Sequence, residues 1–197
     1  MNTDFFVVYE DARLVVCVKP HGVLSAKDAS GKPAVTDLLA PRALFPVHRL
    51  DREAAGLMVF AKDAQAAAFL CAAMGNGFEK EYLLRCHGTP QPPEGEMEDL
   101  LYHDRQKNKT YVVFRSRRGV KPARLSYRVL QAGEDALVRV HLFTGRTHQI
   151  RVQFASRGFP LLGDRKYGSQ TGGTLALVSV FLAFPHPDGG RKTFSLL

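Results

Sequence analysis

The strongest constraint on the fold is a change of character within residues 48–62, where a charged segment runs directly into an apolar one. Residues 56–62 are mostly apolar and include β-favouring valine and phenylalanine, which predicts a short buried strand. Just before it, Asp51 lies between Arg49 and Arg52. A carboxylate among guanidinium groups is favoured as the anion, which suits it to nucleophilic or electrostatic work. These residues alone fit a structural Asp–Arg pair equally well.

Length and composition favour one globular domain over residues 1–197, a length that supports one sizeable core. The sequence has no apolar run of 18 residues and no basic region followed by an apolar one at its start, so neither a membrane span nor a secretory signal is predicted. Cys17, Cys71 and Cys86 are odd in number and lack metal-type spacing. We therefore expect a cytoplasmic protein without a disulfide framework or a metal.

The charge is strongly one-sided in a part of the chain that we call the basic segment, residues 102–128. It contains nine Lys or Arg residues against one acid, Asp104, within a chain of net charge +8. Aromatic residues are interleaved with these cations, a combination typical of surfaces that bind a phosphate backbone and stack on bases. A solvated hairpin that keeps the protein soluble is the alternative. The local charge density favours nucleic acid as the partner.

Periodicity and turn residues predict a chain with two helices and several strands. A helix capped by Asp63 is expected to run to about Met74, and Thr144 is expected to cap a helix that begins after Gly145. Residues 91–99 are rich in proline and glutamate and are predicted to form a loop. Strands are predicted over residues 5–9, 14–18, 56–62, 79–87, 110–115, 124–130, 136–143 and 174–184, and a helical turn or two over 36–40.

The second dense motif, residues 144–154, places a charged side chain beside an apolar helix face. On the predicted helix, Thr147, Arg151 and Ala155 are spaced by four residues and share a face that adjoins the apolar one. A buried arginine is costly without an anion, so we expect a carboxylate or phosphate partner for Arg151. Asp51 is an obvious candidate, although sequence alone does not bring the two together.

The strand predicted over residues 79–87 alternates between two faces. Tyr82 shares a face with Leu84 and Cys86, so its ring is expected to point toward the core or the floor of a pocket. A buried phenol that is hydrogen-bonded for structural reasons is the alternative interpretation.

Five motifs in order resemble those of the RluA family of pseudouridine synthases: residues 19–22 (KPHG), 48–52 (HRLDR) with 56–57 (GL), 80–82 (KEY), 145–151 (GRTHQIR) and 160–164 (PLLGD). Together they cover roughly residues 5–190, and the HRLD and GRTHQIR strings are highly specific. The resemblance implies a pseudouridine synthase fold of the α+β class. In that fold a bent, mixed, mainly antiparallel sheet is flanked by helices and carries an RNA-binding cleft.

The resemblance also implies roles for particular residues. Asp51 would be the catalytic nucleophile, Tyr82 the ring over the target base, Arg151 the partner of Asp51, and Arg49 a residue that helps to displace the flipped nucleotide. The implied reaction is the isomerisation of specific uridines in rRNA or tRNA to pseudouridine by a monomer that needs no metal or organic cofactor. The predicted RNA contacts are Lys19, His48, Arg49, Arg52, Arg115, Arg117, Arg118, Lys121, Arg146 and His148.

The chain departs from the family pattern at two positions that neighbour the implied catalytic groups. Ala55 stands where a Ser or Thr is common, and Gln153 where a His is frequent. Because the core is predicted to begin by Phe5, we expect no small N-terminal RNA-binding domain of the kind that many relatives carry, and we expect the final segment to be slightly shorter than in the family. An RNA-binding or RNA-chaperone protein with reduced or lost catalysis is therefore the alternative function. A glycosidase is disfavoured, because the motifs contain no evident second acid to act with Asp51.

Overall fold

A computed structural model describes residues 4–41, 43–75 and 77–197. The chain divides into two compact units, the first comprising Met1–Lys80 with Val178–Leu197 and the second comprising Glu81–Leu177. The single domain expected from the sequence stays a prediction. None of the helices in the described ranges is long and apolar enough to cross a membrane.

The described residues form many strands and a few short helices, and the strands occur in runs and do not alternate with the helices, which confirms the predicted α+β class. The strands are β1 (Phe6–Glu10), β2 (Leu14–Lys19), β3 (Phe45–Pro46), β4 (Ala55–Ala61), β5 (Glu79–His87), β6 (Glu94–Asp104), β7 (Lys109–Val113), β8 (Val120–Gln131), β9 (Asp135–Leu142), β10 (Leu177–Pro185) and β11 (Arg191–Ser195). The helices are α1 (Val35–Leu38), α2 (Ala64–Ala73) and α3 (Gln149–Ala155), and Arg165–Tyr167 form a 3-10 turn.

The first unit is built on a mixed sheet in the order β1-β2-β4-β10, with β3 paired to β4 and β11 paired to β10. The β4–β10 pairing is parallel, and the other pairings are antiparallel. All residues of β2 and β4 are buried, and for β4 the apolar run after Gly56 predicted this burial. Helix α2 packs Leu70 into the same core, and its predicted cap is confirmed because the Asp63 side chain accepts the Ala66 N–H. Strand β11 was not predicted.

Gly56 allows β4 to pair closely with β10. It adopts a φ of +113°, and a Cβ at this position would lie 2.2 Å from the backbone oxygen of Ser179. Any larger residue would therefore clash with the neighbouring strand and would also be strained in its backbone. The glycine fixes the start of the strand that follows Asp51.

The second unit is an antiparallel sheet in the order β5-β9-β8-β6-β7. Helix α3 packs against β6, β7 and the 3-10 turn. Its Val152 joins Leu101 of β6 and Ala123 of β8 in a small buried cluster. This packing gives the helix that carries Arg151 a fixed position on the sheet.

The prediction of a loop over residues 91–99 is wrong, because most of this stretch belongs to β6. Its proline residues end before Glu94, and the glutamates that follow alternate with more buried residues, which is the two-residue period of a strand. Their carboxylates pair across the sheet with arginines of β8. The pairs are Glu94 with Arg128, and Glu96 and Glu98 with Arg124.

The predicted start of α3 after Gly145 is also wrong, since the helix begins at Gln149. The Thr144 hydroxyl does not cap the helix; it accepts the Arg124 N–H at 2.9 Å and donates to the side-chain oxygen of Gln149 at 2.8 Å. His148 occupies the N-cap position in a left-handed conformation with a φ of +53°. A left-handed non-glycine residue is uncommon and places this turn under tertiary constraint.

Candidate active site

Asp51 lies in a turn that leads into β4. The Ala54 N–H closes this turn on the Asp51 carbonyl at 3.1 Å. On its other side, the Ser25 hydroxyl donates to the Leu50 carbonyl and accepts the Leu50 N–H, both at 2.9 Å. The backbone on both sides of the half-buried Asp51 is therefore held by hydrogen bonds.

The side chain of Lys19 stabilises this turn through hydrogen bonds. It is fully buried, and its Nζ donates to the carbonyls of Pro20, Val23 and Arg52 at 2.9, 2.7 and 3.0 Å. Burial lowers the pKa of Lys19 to about 8, against the opposing influence of the nearby Asp51 carboxylate. All three ammonium protons are used inside the protein, so Lys19 stabilises the turn; its contact with RNA stays a prediction.

Hydrogen bonds thus join the KPHG motif to the HRLDR motif. The Gly22 N–H donates to the Arg52 carbonyl at 2.9 Å, and His21 Nδ1 lies 2.7 Å from the Glu53 carbonyl. Arg52 forms an ion pair of 3.1 Å with Glu53, and Arg49 is exposed. Both arginines are exposed, and their contacts with RNA stay predictions.

His48 supports β4 through its ring. The Val59 N–H donates to His48 Nε2 at 3.2 Å, and the ring meets Phe78 edge-on. Burial, together with the charge of Lys80, lowers the pKa of His48 to about 3. The ring is therefore neutral at physiological pH, and its contact with RNA stays a prediction.

Tyr82 lies in the middle of β5, opposite Val140 of β9. Only 6% of its surface is exposed, which confirms that it turns inward. Its predicted role over the target base stays a prediction.

Arg151 is buried and has the anionic partner that its burial requires. Its Nε and Nη2 donate to the two carboxylate oxygens of Asp164 at 2.7 and 2.8 Å, and both side chains are at most 3% exposed. Two parallel bonds between a guanidinium and a carboxylate fix the plane of both groups. Sequence reasoning did not assign Asp164 a role, although it lies in the fifth motif. The predicted pairing of Arg151 with Asp51 stays a prediction.

Tyr167 connects the helix of Arg151 to strand β7, and sequence reasoning missed it. Its hydroxyl accepts the Thr110 N–H at 2.8 Å and lies 2.9 Å from Nδ1 of His148, the residue that precedes α3. The Arg151 guanidinium lies over the Tyr167 ring at 5.2 Å from its centroid. The only signal in the sequence was the position of this tyrosine three residues after Asp164.

Gln153, one of the two departures from the family pattern, makes contacts of its own. Its Nε2 donates to the Asp99 carboxylate at 2.7 Å and to the Met97 carbonyl at 3.2 Å, which ties α3 to β6. Ala55, the other departure, is fully buried in β4 and pairs with Val178.

Two of the cysteines, Cys17 and Cys86, are buried. Burial raises the pKa of Cys17 to about 12 and that of Cys86 to about 11, so neither thiol is a nucleophile at neutral pH. Within the parts of the chain that the structure describes, no group of three or more His, Cys, Asp or Glu side chains could hold a metal ion.

The basic segment is uneven in its charge. Arg124 and Arg128 are neutralised by the glutamates of β6. Between β7 and β8 the side chain of Phe114 is 96% exposed. Three exposed arginines follow it, and one of them, Arg117, stacks on Tyr102 at 4.8 Å. The exposed arginines are Arg115, Arg117 and Arg118. The positive surface is thus concentrated at one end of the sheet.

Comparison with known proteins gives a consistent result. Residues 13–156 match the family described as RNA pseudouridylate synthase. The dual-specificity RNA pseudouridine synthase RluA of Escherichia coli K12 is 31% identical over 94% of this chain and 89% of its own length. The ribosomal large subunit pseudouridine synthase D of Borreliella burgdorferi is 31% identical over 98% of this chain and 64% of its own length.

Solved structures show the same fold. Human RNA pseudouridylate synthase domain containing 1 aligns with a TM-score of 0.82 over 99% of this chain and 84% of its own, at 20% identity. Human RNA pseudouridylate synthase domain containing 4 aligns with a TM-score of 0.78 over 97% and 87%, at 23% identity. These alignments confirm the predicted pseudouridine synthase fold. Together with the matched span and the curated relatives, they place this chain in the RNA pseudouridylate synthase family.

Proposed function

We propose that this protein isomerises specific uridines in structured RNA, either rRNA or tRNA, to pseudouridine, with Asp51 as the catalytic carboxylate. The observation that carries the proposal is the family match over residues 13–156, a span that contains Asp51, Tyr82 and Arg151. The names of the two curated relatives, a dual-specificity RNA synthase and a large-subunit synthase, support RNA as the substrate. The protein acts as a cytoplasmic monomer without a cofactor.

The reaction exchanges one bond to the sugar for another. The bond from C1′ to N1 of uracil breaks, the base turns, and a bond from C1′ to C5 forms; C5 loses a proton and N1 gains one. The Asp51 carboxylate either adds to the sugar or promotes loss of a sugar proton on the way to a glycal, and both routes stay open. The hydrogen bonds of Lys19 and Ser25 hold the backbone of this turn, so the carboxylate needs little reorganisation.

The other predicted site residues complete the proposed chemistry. Arg151, oriented by Asp164, orients the Asp51 carboxylate. Tyr82 stacks on the uracil and positions the later removal of the C5 proton. Arg49 replaces the flipped nucleotide, whose unstacking costs on the order of a few kcal/mol. Phosphate contacts from the positive end of the sheet offset that cost.

The test is pseudouridine mapping of total RNA from cells with and without this gene. The deletion strain is rescued with wild type, with Asp51→Asn, or with Asp188→Asn, a control carboxylate whose side chain is 60% exposed. We expect a site that disappears on deletion and returns with wild type and Asp188→Asn alone. Return of the site with Asp51→Asn would remove this carboxylate from the mechanism. RNA binding by both variants with no site lost on deletion would favour the RNA-chaperone function.

A further inference from the structure

The second unit contains a pocket of about 300 Å³ whose charged walls have no acidic counterpart. The pocket lies between the β6–β7 hairpin, the start of β8 and the loop before α3. Each of these elements contributes one cation, Arg105, Lys121 and Arg146 respectively. Thr110 and Thr147 add polar groups, and the lining contains no aspartate or glutamate.

Two other pockets on the same unit show that this composition is local. Both have glutamate or aspartate in their walls, and each arginine that lines them forms an ion pair. The paired arginines are Arg124 with Glu96 and Glu98, Arg128 with Glu94, and Arg139 with Glu81. Strand β8 therefore carries neutralised cations in its middle and an uncompensated one at its start.

The three cations of the pocket are poised to bind an external anion. Nε of Arg146 donates to the Pro122 carbonyl at 2.9 Å, which fixes the guanidinium and leaves its Nη donors for other acceptors. The side chains of Arg105 and Lys121 are exposed, and within the described ranges neither forms a hydrogen bond or an ion pair. Charges of one sign that converge without a partner are favourable only when an anion is available.

Hydrogen bonds fix the position of Thr110 in the wall of the pocket. The Thr110 hydroxyl donates to the Thr147 carbonyl at 2.8 Å, so it accepts its second hydrogen bond from His103 Nδ1 at 3.0 Å. The Thr110 N–H is held at the same time by the Tyr167 hydroxyl. A ligand in this pocket is thus connected through Tyr167 to the turn that starts the Arg151 helix.

We infer that this pocket seats a phosphodiester group of the bound RNA. The inference rests on the proposed function for the identity of the anion, because RNA is the polyanion that the protein would meet. Planar guanidinium groups match the geometry of phosphate oxygens, and the ammonium of Lys121 adds a point charge. No Phe, Tyr or Trp lines the pocket, and its aromatic ring is that of His103, so the lining favours a phosphate over a stacked base.

The test compares two double variants of the full chain that remove the same formal charge. Arg105→Gln/Lys121→Gln empties the pocket of two cations, whereas Arg124→Gln/Arg128→Gln removes two paired arginines from the same sheet. The affinity for a fluorescein-labelled 12-nucleotide oligouridylate is measured as a function of salt concentration. We expect the pocket variant to bind roughly tenfold more weakly at low salt, with a salt slope smaller by about 0.7, the value for one phosphate of a single strand. The control variant is expected to keep the wild-type slope.

Equal losses in the two double variants would overturn the inference, because a general charge effect would then suffice. An oligouridylate with neutral methylphosphonate linkages should bind wild type and the pocket variant alike; a remaining difference would exclude phosphate as the ligand. A calorimetric titration with inorganic phosphate supplies the last comparison. Phosphate binding that is lost in the pocket variant while its RNA affinity is unchanged would assign the pocket to free phosphate and overturn the RNA assignment.

The melting temperatures of both variants verify folding, which exposed side chains are not expected to affect strongly. The binding readout does not depend on isomerisation. If the mapping experiment fails while the pocket variant loses its phosphate-dependent affinity, the proposed reaction is wrong and the phosphate seat stands. If mapping succeeds and the two double variants bind alike, the seat is wrong and the reaction stands.

Discussion

Replacement of Asp164 by asparagine should destabilise the protein far more than the loss of any exposed carboxylate. The Asp164 side chain accepts two hydrogen bonds from Arg151 in a site where both residues are almost completely buried. Asparagine keeps one acceptor oxygen, but it turns an amide nitrogen toward the guanidinium and removes the negative charge. The Arg151 cation would then lose the carboxylate that accepts two of its hydrogen bonds.

The expected magnitude follows from the burial of the pair. Removal of one partner from a buried ion pair costs about 3–5 kcal/mol, since the remaining charge keeps its desolvation penalty. For a chain of 197 residues, each kcal/mol corresponds to roughly 2–4 °C in melting temperature. The Asp164→Asn variant should therefore melt roughly 6–20 °C below wild type. The double variant Arg151→Met/Asp164→Leu, which removes both charges, should regain most of this loss.

Urea unfolding followed by circular dichroism measures these free energies. Glu94→Gln is the matched control, because it removes one carboxylate from an ion pair whose side chains are 72% and 65% exposed. This control should cost less than about 1 kcal/mol. Similar small losses for Asp164→Asn and Glu94→Gln would refute the reasoning. A double variant that is less stable than Asp164→Asn would show that the Arg151–Asp164 pair is net stabilising. That result would contradict the expectation that the desolvation penalty of the pair offsets its attraction.

Two further perturbations test contacts around the site. The pKa of His48 is about 3 in the folded state and about 6.5 in the unfolded state, so unfolding takes up a proton as the pH falls below about 6.5. The free energy of unfolding of wild type should therefore fall by about 2 kcal/mol from this group between pH 7 and pH 5. In urea titrations at both pH values His48→Gln should lose correspondingly less, and identical losses would contradict the assignment. Tyr167→Phe should cost about 1–3 kcal/mol because the buried Thr110 N–H loses its acceptor. An unchanged melting temperature would show that another group satisfies this N–H.

The parts of the fold that sequence predicted correctly are those decided by neighbouring residues. The β1–β2 hairpin, the buried strand after Gly56 and the Asp63 cap all depend on patterns within about ten residues. The helix cap is a contact between residues three positions apart, and the strand is a continuous apolar run. In these segments local preference and tertiary environment favour the same structure.

The contacts that sequence did not predict share a different property, which is that the deciding partner lies far away in the sequence. Thr144 has the composition of a helix cap, but its hydroxyl is occupied by Arg124, 20 residues upstream. Arg151 was expected to need an anion, yet no pattern within its own helix identifies Asp164 as that anion. In the same way, Lys19 stabilises the Asp51 turn through a hydrogen bond from its ammonium group to the carbonyl of Arg52, which lies 33 residues later.

The strand β6 shows why such a failure matters for function. As a loop, residues 91–99 would leave all nine cations of the basic segment free, and the whole segment would be a candidate RNA surface. As a strand, the stretch aligns its glutamates with Arg124 and Arg128 and neutralises the middle of the segment. The uncompensated charge is then confined to the end of the sheet that includes Arg105 and Lys121. Composition predicts the sign of the partner's charge, but the pairing of β6 with β8 decides where on the sheet an anionic partner is attracted.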